Sequence, residues 1–356
     1  MSQQTPLYAA HQDAGGKLVD FAGWTLPIHY GSQVEEHHAV RKAAGMFDVS
    51  HMTVVDIRGA EAEAYLRYLL ANDVARINDG QALYGCMLDE QGGVIDDLIT
   101  YRLEDGFFRT VVNAATRQAD LEWMTARSDG FDVVVEERAD LAMIAVQGPE
   151  ARKRVIDVLG APGLGDVKPF RFAVHGDYFV ARTGYTGEDG FEILLPAAAA
   201  PDCWERLVAA GVRPCGLGAR DSLRLEAGLN LYGQDMDSST TPLVSNLGWT
   251  VAFEPPERDF VGRTALRAQR DSGVQERLVG LVLDKGAIPR GGASVHVAEG
   301  SGKVTSGSFS PTLGCPIALA RIPFGDSTGA QVELRGKQLP ARIVKPPFVR
   351  NGQIKV

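Results

Sequence analysis

Cysteine is scarce in this sequence. The 356 residues hold four, Cys86, Cys203, Cys215 and Cys315, widely scattered and without a C-x-x-C pair. That spacing argues against a zinc ribbon or a thioredoxin-type redox site, and reduced thiols of a cytoplasmic protein are expected. Positive charge is also in deficit. Lys and Arg total 36 against 45 Asp and Glu, a net charge of −9, which speaks against a nucleic-acid binder. The longest polar-free run, Ile193 to Pro201, is too short to span a bilayer and contains Pro196. Met1 to Pro6 lacks a charged-then-apolar leader pattern. His29, His37, His38 and His51 show no H-x-x-x-H spacing, and the adjacent His37 and His38 cannot share one helix face, so no metal site is expected. Walker A, G-x-S-x-G and kinase signatures are missing, as are internal repeats.

What is present is a mixed pattern of helices and strands. Ser32 to Ala44 reads as a helix, with capping-box spacing at Ser32 and Glu35 and Gly45 as its stop. Met52 to Ile57 reads as a strand and Ala60 to Leu70 as an amphipathic helix. Strands follow at Leu83 to Leu88, Val94 to Leu103 and Phe108 to Asn113, then a helix over Thr116 to Ala126 and a strand over Val133 to Glu136. This order suits an α+β unit with helices on one face of a mainly antiparallel sheet. Leu141 to Val146 is an apolar strand leading through Gly148-Pro149 into a helix that ends near Gly160. A hairpin is expected around His175-Gly176-Asp177, and helices over Trp204 to Ala210 and Ala219 to Ala227. After about Arg270, short strands with Gly and Pro punctuation predict a small all-β domain.

Three segments carry candidate chemistry. The first is Gly92-Gly93-Val94-Ile95-Asp96-Asp97-Leu98-Ile99. Successive strand side chains point to opposite faces, so Asp96 lies with Val94 and Leu98, and Asp97 with Ile95 and Ile99. Whichever face is core, one aspartate shares it, and a carboxylate there must be paired or used. Spacing leaves open which of the two faces a ligand. The second segment, Thr183 to Glu192, has three glycines that let a ligand approach backbone N–H groups, and Glu192 lies in an apolar strand. The third, Gly216 to Glu226, is a glycine-rich helix entry. Arg220 sits in its first turn, where the helix dipole disfavours a cation, which points to an acidic partner for it.

Taken together, these segments resemble the aminomethyltransferase (T-protein) family of the glycine cleavage system. The matching stretches include D-F-A-G-W at Asp20 to Trp24, Gly31 to His38, G-M-F-D-V-S-H-M at Gly45 to Met52, and G-G-V-I-D-D-L. They continue with T-G-Y-T-G-E-D-G-F-E, G-A-R-D-S-L-R-L-E-A-G and S-P-T-L-G at Ser310 to Gly314, in order along nearly the whole chain. The wider family includes dimethylglycine- and sarcosine-processing folate enzymes, a demethylase and a folate-binding iron–sulfur assembly protein.

The resemblance implies a three-domain cloverleaf around a central folate pocket, with a β-barrel-like C-terminal domain. The expected division is 1–50 with about 138–220 and 240–270, then about 51–137 with 221–239, then about 271–356. It implies Asp96 as the catalytic aspartate, Glu192 and Arg220 as folate-holding residues, and Tyr84, Asn113 and Tyr185 in segments lining the pocket. Tetrahydrofolate is the implied co-substrate, without a metal, and a lipoylated H-protein the implied partner. A local basic patch of Arg290, Arg321, Lys345 and Arg350 is expected to receive that carrier. Some family members have a C-terminal tyrosine against folate. This chain ends Asn351 to Val356 without one, leaving Arg350 as a candidate for the glutamyl tail. Two other readings stand beside this one: a folate-dependent demethylase acting on a free small substrate, and a non-catalytic folate-binding scaffold.

Overall fold

The structure is a computed structural model that describes residues 2–284 and 286–356. Two sheets dominate the first 214 residues. A six-stranded sheet takes its strands in the order Phe172–His175, Tyr178–Ala181, Gly190–Pro196, Leu141–Gln147, Gly45–Asp48, Arg213–Pro214. It is antiparallel except at the last pair. A five-stranded antiparallel sheet runs in the order Gln81–Leu88, Val94–Glu104, Phe107–Val112, Thr53–Arg58, Val134–Glu137. All five of its strands fall between Gly45–Asp48 and Leu141–Gln147, so the second sheet is an insertion within the first.

Alternation along the strands explains how the two sheets pack. Ile144 and Val146 join Phe191, Ile193 and Leu195 against helices Ala151–Leu159 and Ala200–Ala209. Met143, Ala145 and Leu194, on the opposite face, meet Val54, Tyr101 and Val111 of the five-stranded sheet, together with Ala219 and Leu223 of helix Leu217–Glu226. The far face of the five-stranded sheet, with Met87, Leu98 and Val112, is covered by Leu66 and Leu69 of helix Ala62–Leu69 and Met124 of helix Arg117–Arg127. Both sheets are thus apolar on both faces, and a polar side chain on either face needs a partner or a task.

The C-terminal region closes into a six-stranded barrel from Glu276–Val282, Ser294–Val297, Gly300–Ser310, Cys315–Pro323, Gly329–Leu334 and Lys337–Val344, as its Gly and Pro punctuation predicted. It is tied to helix Leu217–Glu226 through Glu226. This buried carboxylate accepts from Arg41 Nη2 at 2.8 Å, Ser310 Oγ at 2.5 Å, Thr312 Oγ1 at 2.8 Å and Thr312 N at 3.0 Å.

Several local expectations are refined. Ser32 Oγ accepts from Glu35 N at 3.3 Å, as the capping box predicted, but the helix runs Gln33–Lys42 and ends at Ala43. Gly45 opens the next strand instead. A Cβ there would lie 2.5 Å from Val40 and 2.7 Å from Cys215, so its role is close packing. The structure adds a three-stranded sheet of Gln3–Gln4, Lys17–Phe21 and Trp24–His29, and helix Arg263–Ser272. The helix is dense in charge and buries only Leu266, which leaves little apolar periodicity to detect.

Candidate functional site

The site begins at the edge of the five-stranded sheet. Gly92 has φ +84, and a Cβ on Gly93 would lie 2.0 Å from the Ser238 carbonyl, so both positions demand glycine. They launch strand Val94–Glu104, whose register pairs Cys86 with Asp97 and Tyr84 with Ile99. Opposed residues of an antiparallel pair share a face, so Tyr84, Cys86 and Asp97 point together. The Tyr84 hydroxyl donates to Asp97 Oδ2 at 2.7 Å, and Asn113 Nδ2 donates to Asp97 Oδ1 at 3.0 Å. Burial, then the field of Asp96, push the Asp97 carboxyl up to about 7, although the Tyr84 and Asn113 hydrogen bonds resist.

Asp96 points the other way, into the helix-covered face. It is fully buried, and both oxygens accept from Asn113: Oδ2 from the backbone N at 2.9 Å, Oδ1 from Nδ2 at 2.8 Å. Burial, then repulsion from Asp120 of helix Arg117–Arg127, hold its carboxyl well above the usual range. Asp120 is pushed up to about 7, mainly by burial. The two carboxyls lie buried on the same helix-covered side of the sheet, and neither Asp120 oxygen has a hydrogen-bond partner among the described residues. The carboxylate on the Tyr84 face is therefore Asp97, while Asp96, the aspartate the resemblance implies as catalytic, lies on the helix-covered face. The cause is strand alternation: one residue along the strand is the opposite side of the sheet.

The Asp97 face looks toward Tyr185, Glu192 and Arg220. Tyr185 donates its hydroxyl to the Asn230 carbonyl, and the Arg220 guanidinium lies 4.8 Å over its ring, a cation–π contact. The fields of Asp97 and Arg220 both reach the Tyr185 phenol, whose pKa burial raises. Glu192 sits on strand Gly190–Pro196, opposite Ala145 and on the face away from Phe191 and Ile193. Its Oε2 accepts from Thr183 Oγ1 at 2.6 Å, and Tyr101 lies 3.3 Å from that threonine oxygen. Burial raises the Glu192 carboxyl, with Thr183 and the Arg220 charge opposing.

Arg220 and Glu192 thus feel each other's charge, yet no salt bridge joins them among the described residues. Burial lowers the pKa of the Arg220 guanidinium, and its Nη1 is buried without a hydrogen-bond partner. A buried donor left open beside a buried carboxylate is costly unless a ligand completes both. A planar heterocycle with both N–H donors and acceptor atoms on one edge fits that pair.

The structure places all six expected residues in this region, with Asp96 behind the sheet and Tyr84, Asn113, Tyr185, Glu192 and Arg220 around the Asp97 side. Sequence reasoning missed Trp249, which stacks on Tyr84 with centroids 5.9 Å apart and is 68 % exposed. It also missed His51, whose Nδ1 is buried and unpartnered and whose pKa burial and then Arg220 push down to about 4. Neither sits in a glycine-rich or acidic pattern that marks it in the sequence. Among the described residues no cluster of three or more His, Cys, Asp or Glu has metal-site geometry, and no helix is long and apolar enough to cross a membrane.

Residues 7–255 match the family described as the GCVT N-terminal domain, and residues 276–350 match the glycine cleavage T-protein C-terminal barrel domain. The chain belongs to the glycine cleavage T-protein family. A solved T-protein relative, the glycine cleavage system aminomethyltransferase T from Bartonella henselae, is 37 % identical, with 100 % of each chain covered and a TM-score of 0.93. A chain of the heterotetrameric sarcosine oxidase from Corynebacterium sp. U-96 shares 14 % identity over 58 % of this chain and 94 % of its own, with a TM-score of 0.37, too low to bear on the site. The mixed α+β architecture with a closed C-terminal barrel is that of the T-protein family.

Proposed function

We propose that this chain is the aminomethyltransferase of a glycine cleavage system. It moves the methylene carbon from the aminomethyl-dihydrolipoyl arm of an H-protein to tetrahydrofolate, giving 5,10-methylenetetrahydrofolate, ammonia and the dihydrolipoyl thiol. The observation that carries this reading is the 37 % identity to an aminomethyltransferase along the whole of both chains. The three units enclose one folate pocket in this reading, divided at about the boundaries expected from the sequence.

The residues of the Asp97 face suit the chemistry. Glu192 accepts from the N–H edge of the pterin, and Arg220 donates from its open Nη1 to a pterin acceptor. The folate N5 attacks the methylene carbon as ammonia leaves, and N10 then closes the ring as the lipoyl sulfur departs. The two protons released by N5 and N10 are those that ammonia and the thiol acquire. Positive charge builds on the methylene during this exchange, and an ionised Asp97 fixed by Tyr84 and Asn113 stabilises it. With a carboxyl at about 7, Asp97 is matched to accept the N10 proton and pass it on. Asp96, sealed behind Asn113, positions the strand and sets the field at Asp97 rather than meeting the substrate.

The deciding experiment is ammonia release from an aminomethyl-loaded H-protein, with and without tetrahydrofolate, for wild type, Asp97→Asn and Asp96→Asn. Folate-dependent release that collapses in Asp97→Asn and largely survives in Asp96→Asn is expected. Turnover of a free methylated amine without the carrier points to a demethylase, and folate binding without either reaction points to a scaffold.

A further inference from the structure

Asp120 is a buried group that the mechanism above leaves without a task. It lies in helix Arg117–Arg127 with no exposed surface, and both of its oxygens are sealed from solvent without a hydrogen-bond partner. A fold holds a carboxylate in that state only at considerable cost. The donors around it are committed elsewhere. The Thr116 hydroxyl, one helical turn back, donates to the Asn113 carbonyl at 3.1 Å. Asn113 commits its backbone N–H and its side-chain amide to Asp96 and Asp97. No Lys, Arg or His lies within salt-bridge distance of Asp96, Asp97 or Asp120 among the described residues.

Within reach of Asp120 is Asp96. The two carboxyls hydrogen-bond to each other once one of them is an acid. As two carboxylates they offer acceptors and no donor, and they repel. One shared proton removes that repulsion, supplies the partner Asp120 lacks and leaves the pair with a single negative charge. Asp96 then keeps an acceptor for each bond from Asn113, at 2.9 Å from the backbone N and 2.8 Å from Nδ2.

Asn113 carries the effect through the sheet. Its Nδ2 lies 2.8 Å from Asp96 Oδ1 on the helix-covered side and 3.0 Å from Asp97 Oδ1 on the Tyr84 side. One amide thus serves both faces of the strand, and the orientation that meets Asp97 is fixed by Asp96. The other titratable groups that face this set are Tyr84, Cys86 and Tyr185 on the Asp97 side, and Tyr232, which feels Asp96, Asp97, Asp120 and Asp237. The fields of Arg220 and Arg224 arrive at Tyr185.

Resting on the reading of Asp97 as the reacting carboxylate, we propose that Asp120 is a positioning residue for the reaction. It shares one proton with Asp96, and the pair holds Asn113, and through it Asp97, in the working orientation. Asp120 stays behind the sheet and meets no substrate. A proton in place of a Lys or Arg partner anchors the amide without setting a cation beside a methylene that itself becomes positive.

Two measurements on the full-length protein test this. Infrared spectra at about pH 7 read the proton, in an Asp97→Asn background so that Asp97 is silent. The carbonyl band of buried carboxylic acid is expected there, and is expected to weaken by one carboxyl when Asp120→Asn is added, because the new amide donates to an ionised Asp96. Ammonia release from an aminomethyl-loaded H-protein reads the positioning. Asp120→Leu fills the space but neither shares a proton nor donates. It is expected to lower kcat roughly tenfold or more, with the KM for tetrahydrofolate within about threefold, since Glu192 and Arg220 lie on the other face. Asp120→Asn is expected to restore most of that kcat. A band unchanged by Asp120→Asn overturns the proposal, and this arm stands even where the leucine variant fails to fold. A folded Asp120→Leu with wild-type kcat also overturns it, as do Asn and Leu variants that lose kcat alike. An Asp97→Asn enzyme that turns over at the wild-type rate sinks the reading of Asp97 itself, a result distinguishable from all of these.

Discussion

The Tyr84 hydroxyl donates to Asp97 Oδ2 at 2.7 Å, across two neighbouring strands whose register puts both side chains on one face. This hydrogen bond favours the ionised carboxylate, against burial and the Asp96 charge, which favour the acid. Tyr84 is therefore a lever on the pH at which the site works. Tyr84→Phe is expected to shift the acid limb of the kcat/KM–pH profile upward while leaving folate affinity within a few-fold. An unchanged limb would mean that Asp97 is not the titrating group.

Asp97 itself gives the larger effect. Loss of a positioned acid–base group costs about 10²–10⁴-fold in rate, so Asp97→Asn is expected to lose ammonia release on that scale. In wild type the rate is expected to rise with pH through about 7 as Asp97 ionises, and the variant's residual rate to be flat there. Single-turnover ammonia release between pH 5.5 and 8.5 measures both (about 1.5 units either side of neutrality).

The same residue should weaken the fold. A carboxyl raised in the folded state binds its proton more tightly there than in the unfolded chain, so its stabilising contribution is complete below the ordinary carboxylate range and is lost as pH rises through about 7. Asp97→Asn removes that loss. Its Tm is expected to exceed wild type at pH 8 by an amount matching ~1 kcal/mol or more, and to converge with wild type only at about pH 3.5, below the ordinary carboxylate range. Calorimetry at the two pH values decides it, and a variant less stable at pH 8 would refute the prediction.

Arg220 and Glu192 face each other without bonding and are expected to depend on a ligand between them. Arg220→Lys keeps charge but loses the planar contact over Tyr185 and the second donor. It and Glu192→Gln are each expected to weaken tetrahydrofolate binding by roughly 2–5 kcal/mol, with little change in Tm without folate. Titration calorimetry beside thermal melts separates this from a folding defect.

Glu226 is expected to act on stability first. Burial works to raise its carboxyl but is outweighed by His37, Arg41 and Ser310, which hold it down at about 2. A depressed carboxyl stabilises above the ordinary carboxylate range and loses that contribution as pH falls through its folded value. Glu226→Gln is expected to cost about 3–5 kcal/mol at pH 7, and wild type to lose stability between about pH 4.5 and 2. Denaturant titrations across that range test it.

The barrel was legible because glycine and proline punctuate its strands, a texture helices do not share. The Ser32 cap and the Gly160 helix end were legible because single side chains or a left-handed glycine dictate them. The choice between Asp96 and Asp97 was not. Both faces of that sheet are apolar, so hydrophobic alternation cannot say which side meets the ligand. Only pairing with Tyr84 on the neighbouring strand and the helix that carries Asp120 separates them, and both depend on chain outside the strand itself. Trp249 and His51 were hidden for the same reason: their significance is where the fold puts them.

Helix Leu217–Glu226 presents Arg220 to the ring site, Arg224 to a neighbouring cavity and Glu226 to the barrel. Ten residues make a rod of about 15 Å, too short to bend between those tasks. During synthesis the helix emerges before Ser310 and Thr312, the groups that hold its last turn. A chain still lacking its barrel leaves Glu226 without those partners and Arg220 without a fixed bearing. Half-made molecules should thus leave reduced folate untouched, and competence should arrive only with the finished barrel.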